Sequence, residues 1–375
     1  MLIHVDPSAV ADALSASSTA GSSRDAIENL LLARWAGAHV VSLMPEDAQA
    51  LQALPLSRRA ARALADIDTN YPQVAAVRKH VRWHLEVGLG EAFDGRAGEL
   101  PSGRRIIRAP LHAFLPPHTT QGLVLLGENG TDADVFRQLG RMAIALRRWQ
   151  LEIEADARGA GGDTFAPEFA RVADRGHIVL ALADSDRRYP GGSAGQTYRK
   201  LEAAAASRPA YQRAREIPAR TIEGLIPARA YREAFLFPHK AHDPRLATVD
   251  RIEALLRREA ASARYAPLKD GITLHQVEHG SDEQESAHWR GLAERADRAS
   301  CREPPPRQCT SREGCACYVV DGLGPQAIRD VLAWMKSVTS ARTLASRFGL
   351  AEQPEVFALA EEILAFGLVP VPIRT

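Results

Sequence analysis

Two short apolar runs end in acids. From His177 to Tyr189 (HIVLALADSDRRY) every residue between Ile178 and Ala183 is apolar, and Asp184 and Asp186 follow directly. From Gly122 to Ala133 (GLVLLGENGTDA), Leu123 to Leu126 are apolar and Glu128 follows one glycine later. An unbroken apolar run of this length is the pattern of a parallel strand buried on both faces. After the first run, Asn129-Gly130 predicts a turn, and Thr131 with Asp134 reads as a capping box that opens a helix. Phe136, Leu139, Ala143, Leu146 and Trp149, spaced by three and four, give that helix one apolar stripe. Strand, acidic turn, helix, strand and acid pair is the order of a βαβ unit. If the backbone stays extended past Ala183, Asp184 and Asp186 project to the same side.

The rest of the chain follows the same periodicities. Leu2 to Val5 and His39 to Leu43 predict strands around a helix at Asp25 to Ala36, with Ile27, Leu30, Leu31 and Trp35 on one face. Helices are expected at Glu46 to Ala53, Ser57 to Ile67 and Pro72 to Val87, a strand at Arg105 to Arg108, and a flexible connector at Asp156 to Thr164. Beyond the acid pair, Thr197 to Ser207 predicts a helix and Tyr211 to Ile217 a strand, and Asp243 to Ala261 an exposed amphipathic helix. Asp330 to Lys336, Ser340 to Phe348 and Pro354 to Phe366 predict a helical C-terminal part. The loop Phe93 to Gly103 and the polar stretch Glu278 to Glu285 divide the chain into three regions: 1–100, an α/β and helical scaffold; 101–280, an α/β domain with a mostly parallel sheet flanked by helices; and 281–375, a helical region that holds the cysteines.

With 375 residues the chain exceeds one average domain. Its net charge of only +1 argues against a dedicated non-specific DNA binder. The charge is uneven, however. Arg137 to Arg220 holds fifteen Lys or Arg against ten Asp or Glu, and Arg187 and Arg188 directly follow the acid pair, where they would hold a phosphate backbone. The N-terminus lacks a basic segment followed by an apolar stretch, and no run approaches the length of a membrane span, so the expectation is a cytoplasmic protein without membrane contact.

Three carboxylates gathered by a fold repel one another unless a cation lies between them. Oxygen-only donors suit magnesium or manganese rather than zinc. All four cysteines (Cys301, Cys309, Cys315 and Cys317) fall within seventeen residues, as C-x7-C-x5-C-x-C. In a reducing compartment that clustering suits a structural zinc site better than disulfides, and the bland alternative is an exposed loop. No P-loop, nucleophile elbow or zinc-protease motif occurs.

The arrangement Glu128-x-x-x-Asp132 after one strand and Asp184-x-Asp186 after the next resembles the topoisomerase-primase (Toprim) signature. The closer likeness is to Toprim nucleases of the overcoming-lysogenization-defect (OLD) type and their stand-alone relatives in bacterial anti-phage systems. Arg220-Thr221-Ile222-Glu223-Gly224-Leu225-Ile226-Pro227 and Leu268-Lys269-Asp270-Gly271 resemble two further segments of those relatives. The resemblance covers about Arg104 to Thr273. It departs from the commoner pattern at Gly127-Glu128-Asn129, where the glycine more often follows the glutamate.

The resemblance implies a metal-dependent endonuclease acting on DNA or RNA, an effector in anti-phage defence. Glu128, Asp184 and Asp186 would hold Mg²⁺ or Mn²⁺, and Asp132 would tighten the first turn or support the ligands. Glu223 and Lys269 would serve a second ion and the charge developing on phosphate. Any ATPase partner would be a separate chain, and a homo-oligomer is compatible with the sequence. Two other readings stand beside it. A non-catalytic sensor or assembly subunit of a defence complex would explain the departure at Gly127-Glu128-Asn129. A haloacid-dehalogenase-like phosphatase also ends a strand in DxD, but Arg188 stands where that family resemblance wants threonine or valine.

Overall fold

The computed structural model describes residues 1–238, 242–257, 259–296, 298, 317–371 and 373. The chain forms two compact units, neither continuous in sequence. The first comprises Met1–Leu182, Lys200–Arg215 and Phe357–Thr375, and the second Ala183–Arg199 and Glu216–Val356.

In the first unit, β1 (Leu2–Val5), β2 (Val40–Ser42), β3 (Trp83–Gly88), β4 (Ala97–Glu99) and β5 (Arg105–Pro110) form a sheet in the order β2-β1-β3-β5-β4. All neighbours in it are parallel except β4, an antiparallel edge strand. The helices Ala20–Trp35 and Arg58–Arg78 bury Ile27, Leu30 and Leu31 from one, and Ala63, Leu64 and Ile67 from the other. A second, parallel sheet holds β6 (Leu123–Gly127), β8 (Ala155–Gly159), β9 (Val179–Ala183) and β10 (Gln212–Glu216) in the order β10-β9-β6-β8. The short strand β7 (Glu152–Ile153) pairs with Leu368–Val369. All five residues of β6 and of β9 are buried, as their unbroken apolar runs require. The architecture is therefore α/β with mostly parallel sheets flanked by helices.

Four expectations change. Trp83–Gly88 is a strand, not the end of a helix: Trp83, Leu85 and Val87 alternate on one buried face, and the segment fills the slot between β1 and β5. One helix, Arg58–Arg78, runs through Pro72 where two were expected. Ala155–Gly159 is a strand and not a connector. It is an edge strand, with Asp156 exposed, so its polarity hid it. The first sheet also runs past the loop expected to end the first region, because β5 pairs with β3.

The second unit is largely helical. Helices Ala228–Phe235, Arg245–Leu256 and Ala327–Ser337 contact one another and bury Tyr231, Phe235 and Trp334. A two-stranded antiparallel ribbon, β11 (Ile272–Thr273) with β12 (Tyr318–Val320), brackets helices Leu274–His279 and Glu283–Arg295 in the chain. Gly271 turns the chain into β11 at φ 77°, a conformation suited to glycine, and a Cβ there would lie 2.7 Å from the Val320 carbonyl. Among the described residues, no helix is long and apolar enough to cross a membrane.

Candidate functional site

The candidate residues divide between the units, and each group is built within its own. Glu128 and Asp132 belong to the first. Glu128 follows the last residue of β6, is half-buried, and its carbonyl accepts a 2.7 Å hydrogen bond from the Gly161 amide. The helix after it, Gly130–Arg147, is capped by Asn129 and not by Thr131. The Asn129 side chain accepts from the Asp132 amide at 3.1 Å and donates to the Asp132 carboxylate at 2.7 Å. This reciprocal pair satisfies the first turn from inside, which leaves the buried Asp132 committed to the helix start. A Cβ at Gly127 would lie 2.7 Å from the Ala133 amide nitrogen, so glycine there lets the helix seat directly on β6.

The second unit holds the acid pair. Asp184 follows β9 half-buried. The expected continuation of the strand does not occur. Asp186 has φ 51°, in the left-handed region, so the backbone turns and the two carboxylates do not follow the i, i+2 geometry of an extended chain. Ser185 between them is fully buried. The loop is fixed by backbone bonds, from the Asp186 amide to the Arg220 carbonyl at 2.9 Å and from the Gly195 amide to the Ser185 carbonyl at 2.8 Å. A Cβ at Gly195 would meet the Asp186 carboxyl group, 2.3 Å from Oδ2, so this glycine makes room for the acid. Loss of hydration raises the Asp186 carboxyl above the ordinary aspartate range, against the opposing pull of the Arg220 and Arg188 guanidinium groups.

Arg187 and Arg188, paired in the sequence, separate in function. Arg187 is bound to Glu216 (Nη2 to Oε2, 2.9 Å) and to the Gly192 carbonyl, which ties down the glycine-rich loop. Arg188 is exposed at its head and contacts Glu285 at 3.0 Å. The backbone carbonyl of Arg188 accepts from the indole of the buried Trp289 at 3.1 Å, and Tyr189 bonds Gln284, so helix Glu283–Arg295 holds this loop in place. Glu223 is buried in the single turn Ile222–Leu225, with its carbonyl bound by the Tyr231 hydroxyl at 3.0 Å. Lys269 is exposed, and its carbonyl accepts from the Gly324 amide. Cys317 is buried beside β12, and Cys301, Cys309 and Cys315 lie outside the described residues.

Among the described residues, no group of three or more His, Cys, Asp or Glu side chains is gathered as a ligand set. Sequence reasoning gave no role to the Arg220 side chain, nor to Glu285, His275 and His279, which line one cavity with Arg188 in the second unit. The i, i+4 spacing of His275 and His279 in LHQVEH was the available signal. Comparison with protein-family models, with curated proteins and with solved structures finds no match.

Proposed function

We propose that the chain is a metal-dependent nuclease that hydrolyses phosphodiester bonds of DNA or RNA, through a Toprim-like catalytic centre, as an effector in anti-phage defence. The observation that carries the reading is the loop Asp184-Ser185-Asp186 at the carboxyl end of the buried strand β9, with the Arg188 and Arg220 guanidinium groups acting on Asp186. In open α/β sheets, chemistry gathers at the carboxyl ends of strands. A magnesium ion keeps several waters and binds through one or two carboxylates together with substrate phosphates, so the reading does not require a third protein ligand beside the two aspartates.

When bound, the ion activates a water and stabilises the oxygens at the reacting phosphorus. Asp184 and Asp186 hold it, and Arg188 orients the phosphate backbone. Lys269 offsets charge on the phosphate oxygens, and Glu223 supports a second ion. Glu128 remains a third carboxylate of the resemblance. The reading includes a nucleic-acid partner, a separate ATPase chain and a structural zinc on the cysteines. A second reading, a non-catalytic assembly subunit, is favoured by two observations: the described residues gather no three-residue ligand set, and Asn129 and Asp132 bond each other at a helix cap.

Calorimetric titration of Mn²⁺ into the wild type and into Asp184→Ala/Asp186→Ala separates the two. The nuclease reading expects binding that the double variant loses while its melting temperature is retained. Glu128→Gln in the same titration reports whether that carboxylate takes part. Equal binding in wild type and double variant, or none in either, defeats the catalytic assignment and leaves the assembly subunit.

A further inference from the structure

Within the second unit, Arg188, Arg220, His275, Gln276, His279 and Glu285 line an open cavity of about 390 Å³. Two imidazoles, two guanidinium groups and an amide surround a single carboxylate. The two imidazoles lie 4.7 Å apart between centroids on one helix, tilted by 47°, and the arginines come from two separate loops.

Arg220 is the informative member. Its backbone is fixed on both sides, since its amide donates to the Arg264 carbonyl at 2.8 Å and its carbonyl accepts from Asp186. The side chain is only 23% exposed, and its Nη1 is buried without a hydrogen-bond partner. The nearest carboxylate oxygen, Oε1 of Glu285, is 3.7 Å away, close enough for an ion pair and too far for a hydrogen bond. Glu285 presents its other oxygen to Arg188 at 3.0 Å, so one carboxylate is shared between two guanidinium groups and gives Arg220 no hydrogen bond. Burial lowers the Arg220 pKa even with Glu285, Asp186 and Asp270 acting to raise it. A desolvated donor with no acceptor is costly to the fold, and such groups in native proteins have an explanation in function or in a bound species.

We propose that this cavity is a phosphate subsite in which Arg220, from the floor, and Arg188, from the rim, bind one phosphate of a nucleic-acid strand. The oxygens of a phosphate supply the acceptors that Arg220 lacks, and a guanidinium fork matches them two at a time. Gln276 adds a neutral donor at the wall. Because the Asp186 amide bonds the Arg220 carbonyl, the subsite is hinged to the acid loop, and an occupied subsite fixes the strand's position there. The phosphate chemistry stands on the cavity alone; only its assignment to a nucleic-acid strand rests on the nuclease reading.

The test uses the full chain in a chelator, without metal. Fluorescence anisotropy follows two labelled single-stranded oligonucleotides of one sequence, with a 5′-phosphate and with a 5′-hydroxyl, and inorganic phosphate is the competitor. The wild type binds and inorganic phosphate displaces the strand. Arg220→Met weakens binding by roughly tenfold or more, the scale of a lost hydrogen bond to a charged group. Its melting temperature does not fall, because it removes an unsatisfied donor. Arg188→Gln, at the exposed rim, weakens binding too, and it carries the test if Arg220→Met does not fold. Preference for the 5′-phosphorylated strand identifies a terminal monoester, and equal binding identifies an internal diester; both support the subsite. Failure of the wild type to bind either strand or phosphate, or binding unchanged within experimental error in both variants, overturns it. If the dependence on Arg220 holds while the acid pair binds no Mn²⁺, the nuclease reading falls and the phosphate subsite stands.

Discussion

Single residues at the strand ends set how closely elements approach. A Cβ on Gly159 would sit 2.3 Å from the Gly130 amide nitrogen and 2.6 Å from the Asn129 carbonyl carbon, backbone atoms that cannot swing aside. The first turn of helix Gly130–Arg147 therefore rests on β8 only because residue 159 has no side chain. Gly159→Ala pushes that turn away, disturbing the Asn129–Asp132 cap and the bonds that join Gly127 and Glu128 to Ala160 and Gly161. The expected cost is about 1–3 kcal/mol, in the range of overpacked sites. Urea unfolding measures it, and an unchanged midpoint would show that the turn relaxes freely. Asp186 illustrates the opposite case. Its left-handed backbone is tolerable for aspartate and better for glycine, so the carboxylate is retained at some conformational expense.

At the scale of elements, the first sheet buries histidines on its central strands. His4 on β1 and His84 on β3 are both almost inaccessible, beside Ser42 and Glu86. Loss of hydration, helped by the nearby Arg78 and His84, lowers the His4 pKa from 6.5 to about 4. His39, at the start of β2, is lowered well below its ordinary value by burial. The unfolded chain therefore takes up protons at His4 and His39 near pH 6.5, where the folded chain does not. Their contribution is complete above that pH and is lost as pH falls from about 6.5 toward 4, by up to ~3 kcal/mol for His4 alone. Denaturation midpoints between pH 7 and pH 4 should fall accordingly, and His4→Gln should flatten part of the decline. A variant whose profile overlays the wild type would show that His4 takes up its proton without disturbing β1.

The same elements show what the sequence discloses and what it hides. Runs such as Leu123–Leu126 and Ile178–Ala183 are legible because strands buried on both faces need no polar alternation. Trp83–Gly88 is hidden because His84 and Glu86, on the face opposite Trp83, Leu85 and Val87, break the continuous apolar run that marks β6 and β9, and Ala155–Gly159 because an edge strand carries polar residues. The acid loop is legible as composition, and its geometry is not. The turn at Asp186 depends on the Arg220 carbonyl and on space left by Gly195, contacts that no local pattern encodes. Arg220 is part of a quoted motif, yet its orphaned nitrogen emerges only from burial in three dimensions.

For the whole molecule, the path of the chain matters as much as its elements. The first unit is closed by residues from Phe357 onward, more than 350 positions after β1. Leu359, Ile363 and Phe366 are fully buried there, and the Phe366 ring meets Trp83 edge-on at 6.0 Å between centroids. Glu362 is buried as well, accepting from Arg213 at 2.6 Å and pairing with Arg215, the two arginines of β10. Leu368–Val369 completes the ribbon with β7. Removing Phe357–Thr375 therefore strips several large side chains from the core and leaves two guanidinium groups without their shared carboxylate. Core truncations cost about 2–5 kcal/mol per large residue and loss of one partner of a buried ion pair about 3–5, and together they exceed the ordinary stability of a domain. The expected outcome is loss of hydrogen-exchange protection in β3, β6 and β10, while β11 and β12 and the Ala327–Ser337 helix of the second unit stay protected. Full protection of β3 in the truncated chain would show that the first unit closes without its C-terminal helix. Loss of protection in both units would show that they unfold as one, and Mn²⁺ or phosphate titrations would then require the intact chain.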